Sequence, residues 1–237
     1  HGYARRNING YIPHYTGDDF RYRDVEHGPG KEIDSVKQFE DIATVDSHDG
    51  TGIEALMTVK GDVDNLGLIF QKGLKAGNRS VTFAKTAGLS RQLNAFFTVW
   101  LPWICRKEFP DMYTVFAGGD DFFLVGPWKE SQKLLVHVSD DFYRYTGDNS
   151  EVHFSVGTVV TKSSVPVRAL SDSAEEALAQ SKSHDGKNAL TLYGRTVAWS
   201  KLKKLQEEED FLYRALQEYE VSSGYLYSLF QILEMSG

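Results

Sequence analysis

Cysteine is almost missing from this chain: Cys105 stands alone among 237 residues. A single thiol excludes an internal disulfide framework and any cysteine-based zinc site within the chain. It fits a reducing, cytoplasmic location. Long apolar runs are missing too, which argues against a transmembrane helix, and no secretory leader opens the sequence. Basic residues are the minority, 26 Lys and Arg against 33 Asp and Glu, for a net charge of −7. Bulk charge therefore does not favour coating a nucleic acid, and any such contact must be a local patch. The seven histidines show no metal-ligand spacing and read as surface or core residues. Neither an internal repeat nor a low-complexity segment is found. What remains is globular: 41% hydrophobic, 25% charged and 13% aromatic, in a chain long enough to bury a core without covalent staples. The start at His1 and the end inside a helical pattern at Ser236-Gly237 read as a piece of a larger protein.

Residues 1–54 form a mixed lead-in with a basic start (Arg5, Arg6), a Tyr11-Ile12-Pro13 segment and a short helix expected near Ser35 to Ala43. Regular periodicity begins at Ala55, where ALMTVKGDV reads as a strand ending in acid, followed by a short helix from Leu66 to Leu74. Leu89, Leu93, Phe96, Phe97, Trp100, Leu101 and Ile104 recur at three- and four-residue spacing, the mark of a long amphipathic helix. The run MYTVFAGGDDFFLV over 112–125 reads as a hairpin. A helix follows over Leu134 to Tyr145, an alternating strand over 151–161, and a helix starting near Pro166. A short strand over Ala189 to Tyr193 and a helical pattern from Trp199, broken at Ser222-Ser223-Gly224, complete the chain. This order implies an α+β fold with a mainly antiparallel sheet and helices on its faces.

Two acidic clusters carry the candidate chemistry. Gly61-Asp62-Val63-Asp64-Asn65 ends the first core strand, and Gly118-Gly119-Asp120-Asp121 forms the hairpin turn. If the strands are neighbours, the clusters meet at one end of the sheet. Gathered carboxylates repel and raise one another's pKa values, and a divalent cation with a taste for hard oxygen, Mg2+ or Mn2+, relieves that penalty. Glycines admit a phosphate close to the backbone, and the amides of Val63 to Leu66, ahead of a helix start, can hold phosphate oxygens. Taken singly, each motif reads more readily as a solvated turn or strand end than as a site. The ordered combination is the informative feature.

That combination resembles a known family. The segments VKGDVDNLGLIF (59–70), SRQLNAFF (90–97), FAGGDDFFLVGPW (116–128) and PVRAL…AEEALAQSKSHDGKNAL (166–190) are similar to the second palm of the large subunit of type III-A CRISPR effector complexes, the Csm type. The lead-in motifs around Tyr11-Ile12-Pro13 and Phe39-Glu40-Asp41-Ile42-Ala43 match as well. The resemblance implies a palm of the nucleotidyl-cyclase type, related to GGDEF domains, over 55–197, a lead-in over 1–54, and the start of a C-terminal helical domain over 198–237. It implies synthesis of cyclic oligoadenylate from ATP when guide RNA in the complex captures target RNA, with other effector subunits as partners and no membrane. Asp62, Asp120 and Asp121 would hold two Mg2+ or Mn2+ ions, with the backbone of Val63 added. Asp64, Asn65, Leu66, Gly118 and Gly119 would lie along the ATP, and Ser90 and Asn94 near its base or ribose. Lys182 and Lys187 would grip the triphosphate. On residues alone, the lysines read equally as a solvated helix end, Ser90 and Asn94 as a polar helix face, and Arg168 as a surface residue or a phosphate or RNA contact.

The same family carries a nuclease domain, a first palm and a zinc-binding insert that these residues do not include, and it makes its product between two palms. The aromatic stretch from Phe211 to Leu233 is expected to pack on another part of that assembly. Three rivals remain on sequence. A diguanylate cyclase is disfavoured by Leu66-Gly67-Leu68 after the strand and by Asp121 where a Glu is usual. A non-catalytic scaffold that contacts RNA is disfavoured by the intact acids, since burying unneeded carboxylates is costly. A templated palm polymerase fits the motif set less well.

Overall fold

β1 (Leu56–Val63) sits at the centre of a six-stranded sheet of order β2-β3-β1-β4-β5-β6. The computed structural model describes residues 10–23, 25–47, 52–73 and 82–218, with isolated positions beyond. The other strands are β2 (Tyr113–Gly118), β3 (Asp121–Pro127), β4 (Phe154–Thr161), β5 (Ala189–Leu192) and β6 (Arg195–Ala198). β1 pairs antiparallel with β3 and β4, β2 antiparallel with β3, and β4 parallel with β5. The expected hairpin is β2–β3. The strand expected over 151–161 begins at Phe154. β6, which periodicity misses, follows a turn in which Tyr193 and Gly194 both have positive φ, 51° and 73°, the geometry a two-residue hairpin loop favours.

Helices cover both faces. The long amphipathic helix is real but not uniform: α4 (Phe83–Ala95) runs through a π-turn (Phe96–Trp100) into α5 (Leu101–Glu108). With α6 (Trp128–Tyr145) it packs on the odd-numbered side of β1. There Phe97 stacks on Phe122 (ring centroids 5.3 Å) and Phe142 meets Phe154 edge-on (5.2 Å). Burying each such ring contributes roughly 1.5–3 kcal/mol. The opposite face carries α2 (Phe39–Ala43), whose Ile42 and Ala43 pack on Leu56, Phe123 and Val125, and α7 (Val167–Ser183), which lies across β4 and β1. Gly157 makes the α7 approach feasible: a Cβ there would sit 2.1 Å from the backbone nitrogen of Leu178. Ser181, fully buried, then donates to the Val156 carbonyl at 2.6 Å and bonds Thr191 Oγ1 at 2.6 Å, fastening the helix end to two strands.

The lead-in holds a helix not foreseen from sequence, α1 (Gly17–Tyr22), and the helix expected near Ser35 is confined to α2. A buried charge quartet fixes it to the core. Lys37 Nζ donates to Asp19 Oδ1 at 2.5 Å and Asp111 Oδ1 at 2.6 Å, and Arg23 reaches Asp111 Oδ2 at 2.6 Å. Between β1 and α4, α3 (Leu66–Leu68) continues as a π-turn to Gly73, while Leu74 lies outside the described residues.

The chain divides into two compact units, His1–Val197 and Ala198–Gly237. The second opens with α8 (Trp199–Glu218), on which Leu205, Phe211 and Leu212 are exposed. Ser223 of the expected break, most of the aromatic stretch beyond Glu218 and the basic start at Arg5 and Arg6 lie outside the described residues. Among the described residues, no helix is long and apolar enough to cross a membrane.

Candidate active site

Both acidic clusters meet at one end of the sheet. Asp62 lies directly opposite Asp121 in the β1–β3 register and opposite Ser155 in the β1–β4 register. Gly119 and Asp120 form the turn between β2 and β3. Gly119 has φ 69° and Asp120 does not share that region, a pattern that calls for glycine at the first turn position. Two hydrogen bonds hold this turn in place. The Val63 N–H donates to the Asp120 carbonyl at 2.9 Å, and the Gly119 N–H donates to Asn94 Oδ1 at 2.8 Å. Gly118 lies against Thr98, from the π-turn that follows Asn94. The irregular helix therefore presents its polar residues to the acidic turn.

Charge accumulates here. Burial pushes the Asp62 carboxyl above its ordinary range; Lys182 pulls it back, and Asp120 and Asp64 push it further up. Burial likewise raises Asp121, reinforced by Asp120 and Asp62. Asp62 is ion-paired with Lys182, from the last turn of α7, and Lys60 is ion-paired with Glu175 on the same helix. Lys60, Asp62, Asp121, Glu175 and Lys182, with Gly61, line an open cleft of ≈ 480 Å³ that Leu178, Ala179 and Ser183 complete on the α7 side.

Asp64 does not face this cleft's solvent. It is fully buried, and its Oδ2 accepts from His153 Nδ1 (2.8 Å), Ser155 Oγ (2.8 Å) and the Asn188 N–H (3.1 Å). Expected to lie along the ATP, it here ties the end of β1 to β4 and to the loop after α7. That loop carries Lys187, whose Nζ donates to Asn65 Oδ1 at 2.9 Å. Asn65, at φ 53°, precedes α3, whose first residue, Leu66, is half-buried. The amides expected to hold phosphate are also partly committed. The Val63 N–H goes to Asp120, and the Asp64 N–H to the His153 carbonyl at 2.8 Å. Asn94 spends its side-chain oxygen on the turn rather than facing open space, and Ser90, exposed, lies one helical turn earlier.

The donor set suits a hard divalent cation in kind, being all oxygen, and two of its members carry raised pKa values that a cation would relieve. One buried oxygen, Asp64 Oδ1, has no hydrogen-bond partner. Yet among the described residues no three or more acidic, His or Cys side chains are gathered closely enough to hold a metal. Asp62 and Asp121 face one another across β1 and β3 with Asp120 in the adjoining turn, and Mg2+ is commonly held by one or two carboxylates with phosphate oxygens and water completing its shell; Asp62 is meanwhile engaged by Lys182. Sequence reasoning passed over His153, Ser155, Thr98 and the Lys60–Glu175 pair. Ser155 was the one with a visible signal, a polar residue between Phe154 and Val156 at the start of β4.

Comparison with known proteins identifies relatives of this fold. Residues 55–191, more than half the chain, match the family model described as "Cas10/Cmr2, second palm domain". The chain belongs to that family. Among its relatives are two proteins named "CRISPR system single-strand-specific deoxyribonuclease Cas10/Csm1 (subtype III-A)". The one from Methanocaldococcus jannaschii is 32% identical over 171 residues, 63% of this chain and 21% of its own length. The one from Thermococcus onnurineus is 28% identical over 214 residues, 84% of this chain and 25% of its own. This palm-bearing chain thus spans about a fifth to a quarter of those relatives. A crystal structure of a Csm1-Csm4 cassette in complex with cA3 superposes with TM-score 0.68 at 25% identity, covering 85% of this chain and 31% of that one. A Csm1-Csm4 cassette in complex with one ATP gives TM-score 0.63 at 26% identity, covering 73% and 26%.

Proposed function

We propose that this palm contributes the acidic site at which a type III-A effector large subunit converts ATP into cyclic oligoadenylate. The observation that carries the reading is the pairing of Asp62 with Asp121 across β1 and β3, with Asp120 in the adjoining turn. Solved relatives in complex with AMPPNP, ATP and cA3 support ATP as the substrate class.

In the proposed reaction a ribose 3′-oxygen of one ATP attacks the α-phosphorus of another. The new 3′–5′ phosphodiester forms as the α–β bond breaks and pyrophosphate leaves. Asp62, Asp120 and Asp121, with the backbone of Val63, would hold Mg2+ or Mn2+. Such ions supply charge neutralisation for the polyphosphate and a more acidic 3′-hydroxyl. The remaining tasks fall to the protein. Asn94 holds the Gly119 amide and so fixes the turn that carries Asp120 and Asp121. Asp64 sets the spacing between β1 and the Lys187 loop. Lys182 and Lys187 place positive charge on the α7 side, where phosphates would lie. Gly118 and Gly119 keep side chains off the turn, and Asn65 and Leu66 bound the site beyond β1. The exposed apolar residues of α8 and the relatives' pairing with Csm4 support partner subunits in an effector complex; guide and target RNA would be bound through that complex, in the cytoplasm.

The test is reconstitution. The full-length large subunit in its complex, given target RNA, ATP and Mg2+, should yield cyclic oligoadenylate. Asp62→Ala and the double variant Asp120→Ala, Asp121→Ala should each abolish the product while the complex still assembles. Undiminished product from either variant would overturn the proposal.

A further inference from the structure

Asp62 already has a cation. Lys182 Nζ donates to Asp62 Oδ2, and its placement is set by the fold rather than by chance. Gly157 lets the α7 backbone rest directly on β4, and the neighbouring Ser181 is fully buried and bonded to β4 and β5. Earlier on the helix, Glu175 is paired with Lys60. Helix α7 is thus fastened along its length, and the Lys182 stem emerges beside Asp62. Of the three acids lining this cleft, Glu175 is occupied by Lys60, while Asp121 lies across the strand from Asp62.

We propose that Lys182 is a resident counter-cation for Asp62, displaced when a divalent ion binds there, so that metal and polyphosphate load together rather than metal first. The inference rests on the reading of Asp62 as a metal ligand. An ammonium and a divalent ion cannot both sit in contact with one carboxylate oxygen in a half-buried cleft without strong repulsion. The carboxylate offers a second oxygen, but a metal there would still lie close beside the ammonium, so metal binding favours release of the lysine. Expulsion needs no backbone movement, because the Lys182 side chain is 31% exposed on a flexible four-carbon stem. When a metal arrives alone, the freed ammonium loses its partner to water. When the metal arrives with a polyphosphate, the ammonium re-pairs with a phosphate oxygen in the cleft it lines. Each ligand then strengthens the other, and the coupling is reciprocal.

The test is Mn2+ binding to the 237-residue chain, read as loss of the free-ion electron paramagnetic resonance signal, with and without a non-hydrolysable ATP analogue. Lys182→Gln, Lys182→Arg and Asp62→Asn are compared with the unmodified chain, each checked for an unchanged melting curve. Without nucleotide, Lys182→Gln should bind Mn2+ about five- to tenfold more tightly, the scale expected for removing one adjacent positive charge and its competing ion pair. The analogue should improve that variant's Mn2+ affinity less than it improves the unmodified chain's. Lys182→Arg, which keeps the charge, should stay close to the unmodified chain. Equal or weaker Mn2+ binding by Lys182→Gln, with Asp62→Asn still losing the ion, would overturn the counter-cation role and leave the Asp62 assignment standing. Full Mn2+ binding by Asp62→Asn would overturn the assignment itself, and this inference with it.

Discussion

Lys37→Met should be among the most damaging single changes outside the candidate site. Lys37 lies 2.5 Å from Asp19 and 2.6 Å from Asp111, two carboxylates whose side chains are 4% and 0% exposed. Removing the ammonium leaves both acids with Arg23 alone, so a buried cluster that was balanced becomes net negative. Breaking a buried ion pair by deleting one partner costs about 3–5 kcal/mol. Arg23 still bridges Asp111 at 2.6 Å and Asp19 at 3.3 Å, which points to the lower end, about 3 kcal/mol. For a unit of nearly 200 residues, that corresponds to a melting temperature lower by roughly 6–12 °C. The sign with pH is fixed by Asp19. Burial would raise its pKa, but Lys37 and Thr16 outweigh burial and lower it. Its stabilising contribution is therefore present above the ordinary carboxylate value of 3.8 and is lost as pH falls through the lower native value. The deficit of Lys37→Met should be full at neutral pH and shrink in that acidic window. The assay is urea unfolding at pH 7 and in acid, with Lys37→Met, Asp111→Asn added to it as a double-mutant cycle. The double variant leaves Asp19 with Arg23 and should recover part of the loss. A deficit under about 1 kcal/mol, or strictly additive effects in the cycle, would refute the buried-quartet account.

Asp121→Asn should stabilise the fold at neutral pH while removing divalent-dependent nucleotide binding. Burial and then Asp120 and Asp62 raise the Asp121 carboxyl, so the unmodified chain gains stability as pH falls from that raised value toward 3.8; below 3.8 the two proteins should unfold alike in urea. Asn94→Ala leaves the Gly119 amide without its 2.8 Å acceptor and should cost about 1 kcal/mol. It should also weaken ATP binding measured by calorimetry, and Asn94→Asp, which keeps an acceptor oxygen, should restore the stability. Gly157→Ala places a methyl 2.1 Å from the α7 backbone. The expected loss is at least about 1–3 kcal/mol in chemical denaturation, and unchanged stability would contradict the close helix–strand contact.

Much of this was legible because the relevant signals are local. The alternation of Val152 to Val160, the helical spacing from Leu89 to Ile104 and the Gly-Gly-Asp-Asp turn each declare themselves within a dozen residues, and the structure places β4, α4–α5 and the β2–β3 turn there. The convergence of the two acidic clusters was also foreseeable, since it needed only adjacent strands. Less visible were features decided by distant partners. Asp62 and Asp64 look equivalent in an Asp-x-Asp motif. Only the approach of His153, Ser155 and Asn188 separates the buried anchor from the cleft-facing acid. Lys37 reads as an ordinary surface lysine until Asp111 arrives from 74 residues away. β6, four residues long, carries too little pattern to be seen before β5 supplies its edge. The ion pair between Lys182 and Asp62 spans 120 residues and depends on how closely α7 lies on β4, which Gly157 permits but does not announce.

The measurement that tests the central claim most directly is calorimetric titration of this chain with ATP and with GTP, each with and without Mg2+. The unmodified chain is run beside Asp62→Ala and the double variant Asp120→Ala, Asp121→Ala. ATP should bind only when Mg2+ is present, ahead of GTP, with binding lost in both variants. Nucleotide binding that ignores Mg2+, or that survives loss of the acids, would contradict it, and a preference for GTP would assign the palm to a different cyclase chemistry.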